Sequence, residues 1–328
     1  MKLKTNDKPT QTKCRALSRA FMEMLDPSKG VYGKLVEIAQ KIKDLHLEFH
    51  GQLDVNNQEK DRPRDELISI YYKGNSILAL HPDGKFQIHE KFLKKTSLPA
   101  YLRSHADVDE YVNQLPQIMF NVVTFEKTSM EIEYEQMIIR ANNFEPRNNS
   151  EYIVVYNQHR YFTELELDGK KNFEQGRFDL LAVKWPRESH RNATGQLTLI
   201  EVKYALNPEI SYAHEQLTRY YEYLKNNYDI LCREMELVLR QKIALGLIKR
   251  TPQQQKKLEI FQLDKRLGTA EIMLFLVDYN PYSKWEEDML VEAAKMPFAN
   301  QIRIVHGGLA LWQKPKISFK LCPTSFVS

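Results

Sequence analysis

Apolar and polar residues in the first third of the chain follow two different patterns. From Val31 to Phe49 the apolar residues recur every three or four positions, which predicts one amphipathic helix. Short apolar runs follow at Leu67–Tyr72, Ile77–Leu80 and Phe86–His89. Turn-forming glycine, asparagine and proline residues separate these runs, so they predict a small antiparallel β-meander. A helix over about residues 108–122 completes an N-terminal α+β module, residues 1–125, of unknown role.

The pattern changes near Ser129, from where the predicted order is helix, strand, strand, strand, helix, strand. The predicted helices are Met130–Asn142 and Ser211–Asn226, and the predicted strands are Tyr152–Tyr156, Phe178–Trp185, Leu197–Tyr204 and Ile272–Val277. A helical insertion at about residues 228–268 separates the second helix from the last strand. The sequence therefore predicts an α/β (α+β) fold with a second module, residues 126–328, around a central mixed sheet.

Composition narrows the class of protein. The chain has 328 residues, 42% of them hydrophobic and 27% charged, which is typical of a folded globular protein and excludes general disorder. No apolar run approaches the roughly 18 residues of a membrane span, and the N-terminus lacks the apolar core of a secretory signal. The cysteines Cys14, Cys232 and Cys322 are far apart, outside any metal-ligand spacing. This usage favours a reducing compartment, and we expect a cytoplasmic protein.

The charge balance permits a nucleic-acid partner without requiring one. The chain carries 47 basic and 43 acidic side chains, a formal net charge of +4. Basic residues are concentrated between Arg233 and Arg266. That segment is either a footprint for phosphate groups or the solvated face of a helix, and the sequence leaves both open.

Charged residues interrupt two strands that otherwise look buried. Asp179 lies near the start of one, in Gly176–Val183, while Glu201 and Lys203 lie two residues apart in the other. Strand side chains alternate between faces, so Glu201 and Lys203 project from the same face. Burying them is costly unless something pairs with them, and a divalent cation is one such partner. Asp179, Glu201 and the main-chain carbonyl of Val202 would offer oxygen ligands suited to Mg²⁺.

The predicted helix after these strands carries Gln216 and Tyr220, which are four residues apart and therefore neighbours on one helical face. Both side chains can bond to a phosphate or to a metal ligand. Each feature alone has an ordinary structural explanation, such as an ion pair or a helix–sheet contact. Their order along the chain is more specific: an Asp strand, an E-x-K strand, then a Q-x-x-x-Y helix.

This order resembles the PD-(D/E)xK nuclease superfamily, with its restriction-endonuclease-like αβββαβ core, and within it the RecB-type branch. The motifs GhxD, E-x-K and QxxxY of that branch correspond to Gly176–Asp179, Glu201–Lys203 and Gln216–Tyr220. The resemblance implies a metal-dependent nuclease. Asp179 and Glu201 would bind Mg²⁺ or Mn²⁺, Lys203 would orient the attacking water and stabilise the charge on the phosphate, and Gln216 and Tyr220 would support the site.

The resemblance also implies a glutamate on the first helix of the core, where the sequence offers Glu131, Glu133 and Glu135; we prefer Glu133 slightly. One departure is Arg177, which stands where the GhxD motif has a hydrophobic residue and would reach a phosphate or an acid instead. The cysteines that hold an iron–sulfur cluster in some relatives have no counterpart, so we expect no cluster.

The resemblance covers residues 129–280 and leaves several questions open. We expect the partner to be nucleic acid, DNA rather than RNA, and no membrane; a homodimer or a protein partner is left open. The alternative is a non-catalytic nucleic-acid-binding or scaffold protein that retains a nuclease-like core. A third reading is a structural protein in which the charged strand residues form plain ion pairs.

Overall fold

The computed structural model describes residues 13–51, 53–54, 66–126, 129–144, 150–167, 170–186, 193–205, 207–280, 282–309 and 319–321. Cys322 lies outside these residues, whereas Cys14 and Cys232 are buried. None of the helices in the described ranges has the length and apolar character needed to cross a membrane.

The chain divides into two compact units. The first contains residues 1–127 and 233–247, and the second contains residues 128–232 and 248–328. Segment 233–247, which we predicted as part of the insertion, is therefore counted with the first unit.

The first unit is built on an antiparallel sheet. Its strands and helices are β1 Lys13–Cys14, α1 Arg19–Met24, α2 Gly33–Lys41, β2 Leu45–His50, β3 Leu53–Asp54, β4 Leu67–Tyr72, β5 Asn75–Leu80, β6 Phe86–Gln87 and α3 His105–Phe125. The sheet order is β2-β4-β5-β6, which confirms the predicted meander. Lys73 and Gly74 both have positive φ angles, 48° and 77°, and make the tight turn between β4 and β5.

The predicted helix over residues 31–49 is wrong in its last part. Helix α2 ends at Lys41, and β2 begins at Leu45. Leu45, Leu47 and Phe49 alternate with polar residues along β2, and this period of two is typical of a strand. Leu45 and Phe49, four residues apart, also fit a helical stripe, so helical spacing alone could not separate the two structures.

The second unit is built on a mixed sheet. Its elements are α4 Met130–Asn143, β7 Tyr152–Leu167, β8 Lys170–Lys184, β9 Thr194–Tyr204, the first part of α5 Ala213–Ala244, α6 Pro252–Glu259, β10 Gln262–Leu263, β11 Glu271–Val277, α7 Trp285–Ala294, β12 Ile302–Gly307 and β13 Phe319–Leu321. From residue 233 onward, α5 is counted with the first unit. In the described residues the sheet order is β13-β12-β11-β9-β8-β7, with β10 beside the start of β9. The chain is therefore α+β, as predicted.

The central strands of this sheet run in mixed directions, and its two faces carry different side chains. Strands β7, β8 and β9 are antiparallel to one another, and β11 lies parallel to β9 on its other side. Helix α4 contributes Tyr134 and Ile139 to an apolar cluster on one face of the sheet, where they join Ile200, Val202 and Met273. Since side chains alternate along β9, Glu201 and Lys203 belong to the opposite face.

Helix α5 is longer than the sequence predicted. We expected its end at Asn226, but it continues through Ala244. The side-chain amides of Asn226 and Asn227 donate to the carbonyl oxygens of Glu222 and Tyr223, one turn earlier. These bonds keep both asparagines compatible with a helix, although asparagine more often occurs at helix ends.

Candidate active site

Strands β8 and β9 bring the predicted acidic residues side by side. In their antiparallel register, Leu181 faces Leu199 and Leu180 faces Ile200. One step further along this register places Asp179 beside Glu201. The carboxylate of Asp179 accepts a hydrogen bond from the Val202 amide, with the nitrogen and oxygen 2.9 Å apart. Both carboxylates are buried, although strand interiors rarely hold them.

Lys203 lies within this group and is held by two carboxylates. Its ammonium is 2.7 Å from a Glu201 oxygen and 3.2 Å from a Glu209 oxygen. The two partners differ in access to solvent, since the Glu201 side chain is 2% exposed and the Glu209 side chain is 69% exposed. Burial disfavours the charge on Lys203, but Glu201, Glu131 and Asp179 together outweigh it and raise the lysine pKa above its usual range. Lys203 therefore remains a fixed cation.

Helix α5 adds Tyr220 to the group. The Tyr220 hydroxyl contacts the Glu201 carboxylate and lies 3.1 Å from the main-chain carbonyl oxygen of Arg177. The Tyr220 ring packs edge-on against Phe178, with 4.6 Å between the ring centroids. Gln216, one turn earlier, is half-buried and makes no hydrogen bond with the residues that the structure describes.

Helix α4 brings two of its three candidate glutamates to the site. The charges of Glu201 and Lys203 act on Glu131, and the charge of Glu135 acts on Asp179. Residues four apart share a helical face, whereas a residue midway between them points to the other side. The slight preference for Glu133 stays a prediction, and the electrostatic neighbours favour Glu131 and Glu135.

The pKa values of three carboxylates at the site are raised, mainly by burial. Burial, followed by the charges of Glu201 and Glu135, raises the pKa of Asp179 well above its usual range, against the opposing effects of the Val202 amide and Lys203. Burial also raises the pKa of Glu131, and it raises that of Glu135 to about 7. Strongly perturbed carboxylates gathered in one place are typical of functional sites.

Sequence reasoning missed the residues that hold Glu135. One Glu135 oxygen accepts hydrogen bonds from the Asn157 and Gln158 amides, at 2.9 and 3.2 Å. Gln158 also accepts from the Arg177 guanidinium at 3.3 Å. Gln158 has a φ of 52°, which is uncommon for a residue other than glycine. Both amides follow a register shift at Val154–Tyr156 in β7, and neither the shift nor the φ angle has a clear signal in the sequence.

The donor set available to a metal ion is small. Asp179 and Glu201 provide carboxylate oxygens, and no group of three or more His, Cys, Asp or Glu side chains arranged to hold a metal occurs in the described part of the chain. The strand backbone at Val202 could supply a further oxygen, as the sequence suggested. Comparisons with protein-family models, with curated proteins and with solved structures find no match for this chain.

Proposed function

We propose that this protein is a metal-dependent nuclease that hydrolyses phosphodiester bonds, with DNA as its substrate. The observation that carries the proposal is the meeting of Asp179, Glu201 and Lys203 on adjoining strands, with Tyr220 bonded to Glu201. An ion pair that only stabilised the fold would not need Asp179, a second carboxylate whose pKa is raised by burial and then by the charges of Glu201 and Glu135.

The order of elements in the second unit supports the resemblance to a restriction-endonuclease-like core. Helix α4 is followed by the antiparallel strands β7, β8 and β9, then by helix α5, and later by β11 parallel to β9. This is the αβββαβ order that the resemblance implies. The Asp, E-x-K and Q-x-x-x-Y positions fall on the second strand, the third strand and the second helix of that order.

The residues present fit a divalent cation in their chemistry. Burial raises the pKa of Asp179, and repulsion by the neighbouring Glu201 carboxylate adds to the rise. A cation between the two carboxylates would offset both effects. The N–H and C=O groups of a strand residue leave the backbone on the same side, so the Val202 carbonyl is on the side of Asp179 as its amide is. Oxygen ligands of this kind suit Mg²⁺ and Mn²⁺.

The side chains then have distinct roles. A bound Mg²⁺ or Mn²⁺ would lower the pKa of a water molecule and stabilise negative charge on the phosphate oxygens. Lys203 provides a fixed positive charge where negative charge develops during attack on phosphorus. Glu201 anchors the Lys203 ammonium, and Tyr220 in turn holds the Glu201 carboxylate. Glu209 is exposed, so an incoming phosphate can replace it as a partner of Lys203.

A cleavage assay with two matched lysine variants tests the proposal. Labelled single- and double-stranded DNA, and RNA, are incubated with Mg²⁺, Mn²⁺ or EDTA. Lys203→Met is compared with Lys184→Met, because Lys184 also pairs with a buried carboxylate, that of Glu271 at 2.7 Å, but lies where β8 ends, away from Lys203. We expect metal-dependent cleavage by the parent and by Lys184→Met, and a loss of about 100-fold in Lys203→Met. Equal rates for Lys203→Met and the parent would contradict the proposal.

The alternative function is a nucleic-acid-binding or scaffold protein without catalysis. The observation that favours it is the ion pair of Lys203 with Glu201 at 2.7 Å, which compensates both buried charges without a metal. Such a protein would bind DNA at low salt with equal affinity in Mg²⁺ and in EDTA, and it would leave every substrate intact. Binding without cleavage of DNA or RNA, in either metal, is the result that selects this alternative.

A further inference from the structure

Arg177 is an exposed cation close to the candidate site. It lies two residues before Asp179 in β8, and its charge acts on Glu131, as do the charges of Glu201 and Lys203. Its own carbonyl oxygen lies 3.1 Å from the Tyr220 hydroxyl, so the Arg177 backbone is part of the site. The resemblance gives no role to this side chain, because the corresponding position of the motif is hydrophobic.

The guanidinium of Arg177 makes one hydrogen bond with the described residues. It donates to Gln158, whose own amide is bonded to the buried Glu135. Its charge lowers the pKa of Glu131 and of Glu135, opposing the effect of burial on both. Yet no carboxylate among the described residues is within ion-pair distance of the guanidinium. Among the described residues the guanidinium has one hydrogen-bond partner, so most of its five N–H donors are unbonded within that part of the chain.

The surroundings show that this placement is built rather than accidental. Gln158 has a left-handed backbone, φ 52°, and a residue with a side chain persists there only when neighbouring contacts hold it. One of those contacts is the bond to Glu135, which is itself 1% exposed. The buried Glu135 carboxylate holds Gln158, and Gln158 in turn holds the exposed Arg177 guanidinium near the glutamates of α4.

We infer that Arg177 binds a phosphate group of the nucleic-acid strand, adjacent to the phosphodiester bond that is cut. The inference rests on the proposed function and names the residue that positions the substrate. A planar guanidinium recognises phosphate oxygens through two parallel hydrogen bonds, which a lysine cannot reproduce. No described carboxylate forms an ion pair with the Arg177 guanidinium, and a phosphate group would supply that negative charge.

The test is the salt dependence of oligonucleotide binding in EDTA, where no cleavage occurs. Arg177→Leu places a hydrophobic residue at the motif position, Arg177→Lys keeps the charge without the planar fork, and Arg266→Leu is the control. Arg266 is an exposed arginine of the same unit, bonded to Asp264, and follows β10, which lies beside the start of β9 rather than its end. Melting temperatures establish that all three variants are folded.

We expect Arg177→Leu to bind a labelled oligonucleotide about tenfold more weakly, with the slope of log affinity against log salt reduced by about one phosphate contact. Arg177→Lys should keep the slope but lose affinity, and Arg266→Leu should match the parent. A purely structural role would not change the slope. Equal slopes for Arg177→Leu and the parent would overturn the inference, as would a parent that binds no oligonucleotide at low salt. The proposed nuclease activity is tested separately, by the cleavage assay with the parent and Lys203→Met.

Discussion

Glu135 should make the protein less stable as the pH rises. Its carboxylate is buried and bonded to the amides of Asn157 and Gln158. Burial raises its pKa from 4.5 to about 7; the Glu131 charge adds to the rise, whereas the two amides and Arg177 oppose it. One pKa unit corresponds to about 1.4 kcal/mol, so the folded protein prefers the neutral acid by about 3 kcal/mol.

The sign of the effect follows from proton binding. Below pH 4.5 the group is protonated in both states and contributes no difference. Between pH 4.5 and about 7 the unfolded chain has already lost the proton that the folded chain still holds. The free energy of unfolding therefore falls by about 3 kcal/mol across this window and stays lowered above it.

Glu135→Gln removes this penalty while keeping an oxygen to accept both amide bonds. We expect the variant to match the parent near pH 4.5 and to exceed it by about 3 kcal/mol at pH 8, measured by urea unfolding at each pH. Glu133→Gln, on the same helix and with the same change of charge, is the control. If the two variants show the same difference from the parent at both pH values, Glu135 does not carry the penalty.

Two further substitutions test other contacts. Lys242→Met removes one of two partners of the buried Glu48, 3.1 Å away in the first unit, and leaves the other, His46. The change should cost about 3–5 kcal/mol in urea unfolding, with most of it recovered when Glu48→Gln is added. A variant as stable as the parent would contradict this. Tyr220→Phe removes the hydroxyl that contacts Glu201. We expect the rate of cleavage to fall about tenfold and the oligonucleotide affinity in EDTA to stay unchanged. An unchanged rate would show that this contact is dispensable.

The strands that carry the candidate site could be predicted because their pattern is unambiguous. Buried runs with charged residues at alternate positions have few structural explanations, and Glu201 and Lys203 do project from one face. The meander of the first unit was equally clear, since its turn between β4 and β5 contains Gly74, which adopts a positive φ angle without steric cost.

Other elements could not be predicted, because the deciding contacts are distant in sequence or because two patterns coincide. Leu45 and Phe49 fit both a helical stripe and a strand, and tertiary pairing with β4 selects the strand. The length of α5 depends on asparagine side chains that bond back to the helix. The choice among Glu131, Glu133 and Glu135 depends on which face of α4 packs against the sheet. The helical period shows which residues share a face, but it does not show which face is the packed one.

The most direct test of the candidate site is a calorimetric titration with Mn²⁺, since it does not depend on guessing the substrate. The parent and Asp179→Asn are titrated at the same pH, with melting temperatures recorded to establish that both are folded. Asparagine keeps the size of Asp179 and removes the charge that we expect to hold the cation. We predict saturable Mn²⁺ binding by the parent and its loss in Asp179→Asn. No binding by the parent, or equal binding by both proteins, would contradict a metal site formed by Asp179 and Glu201.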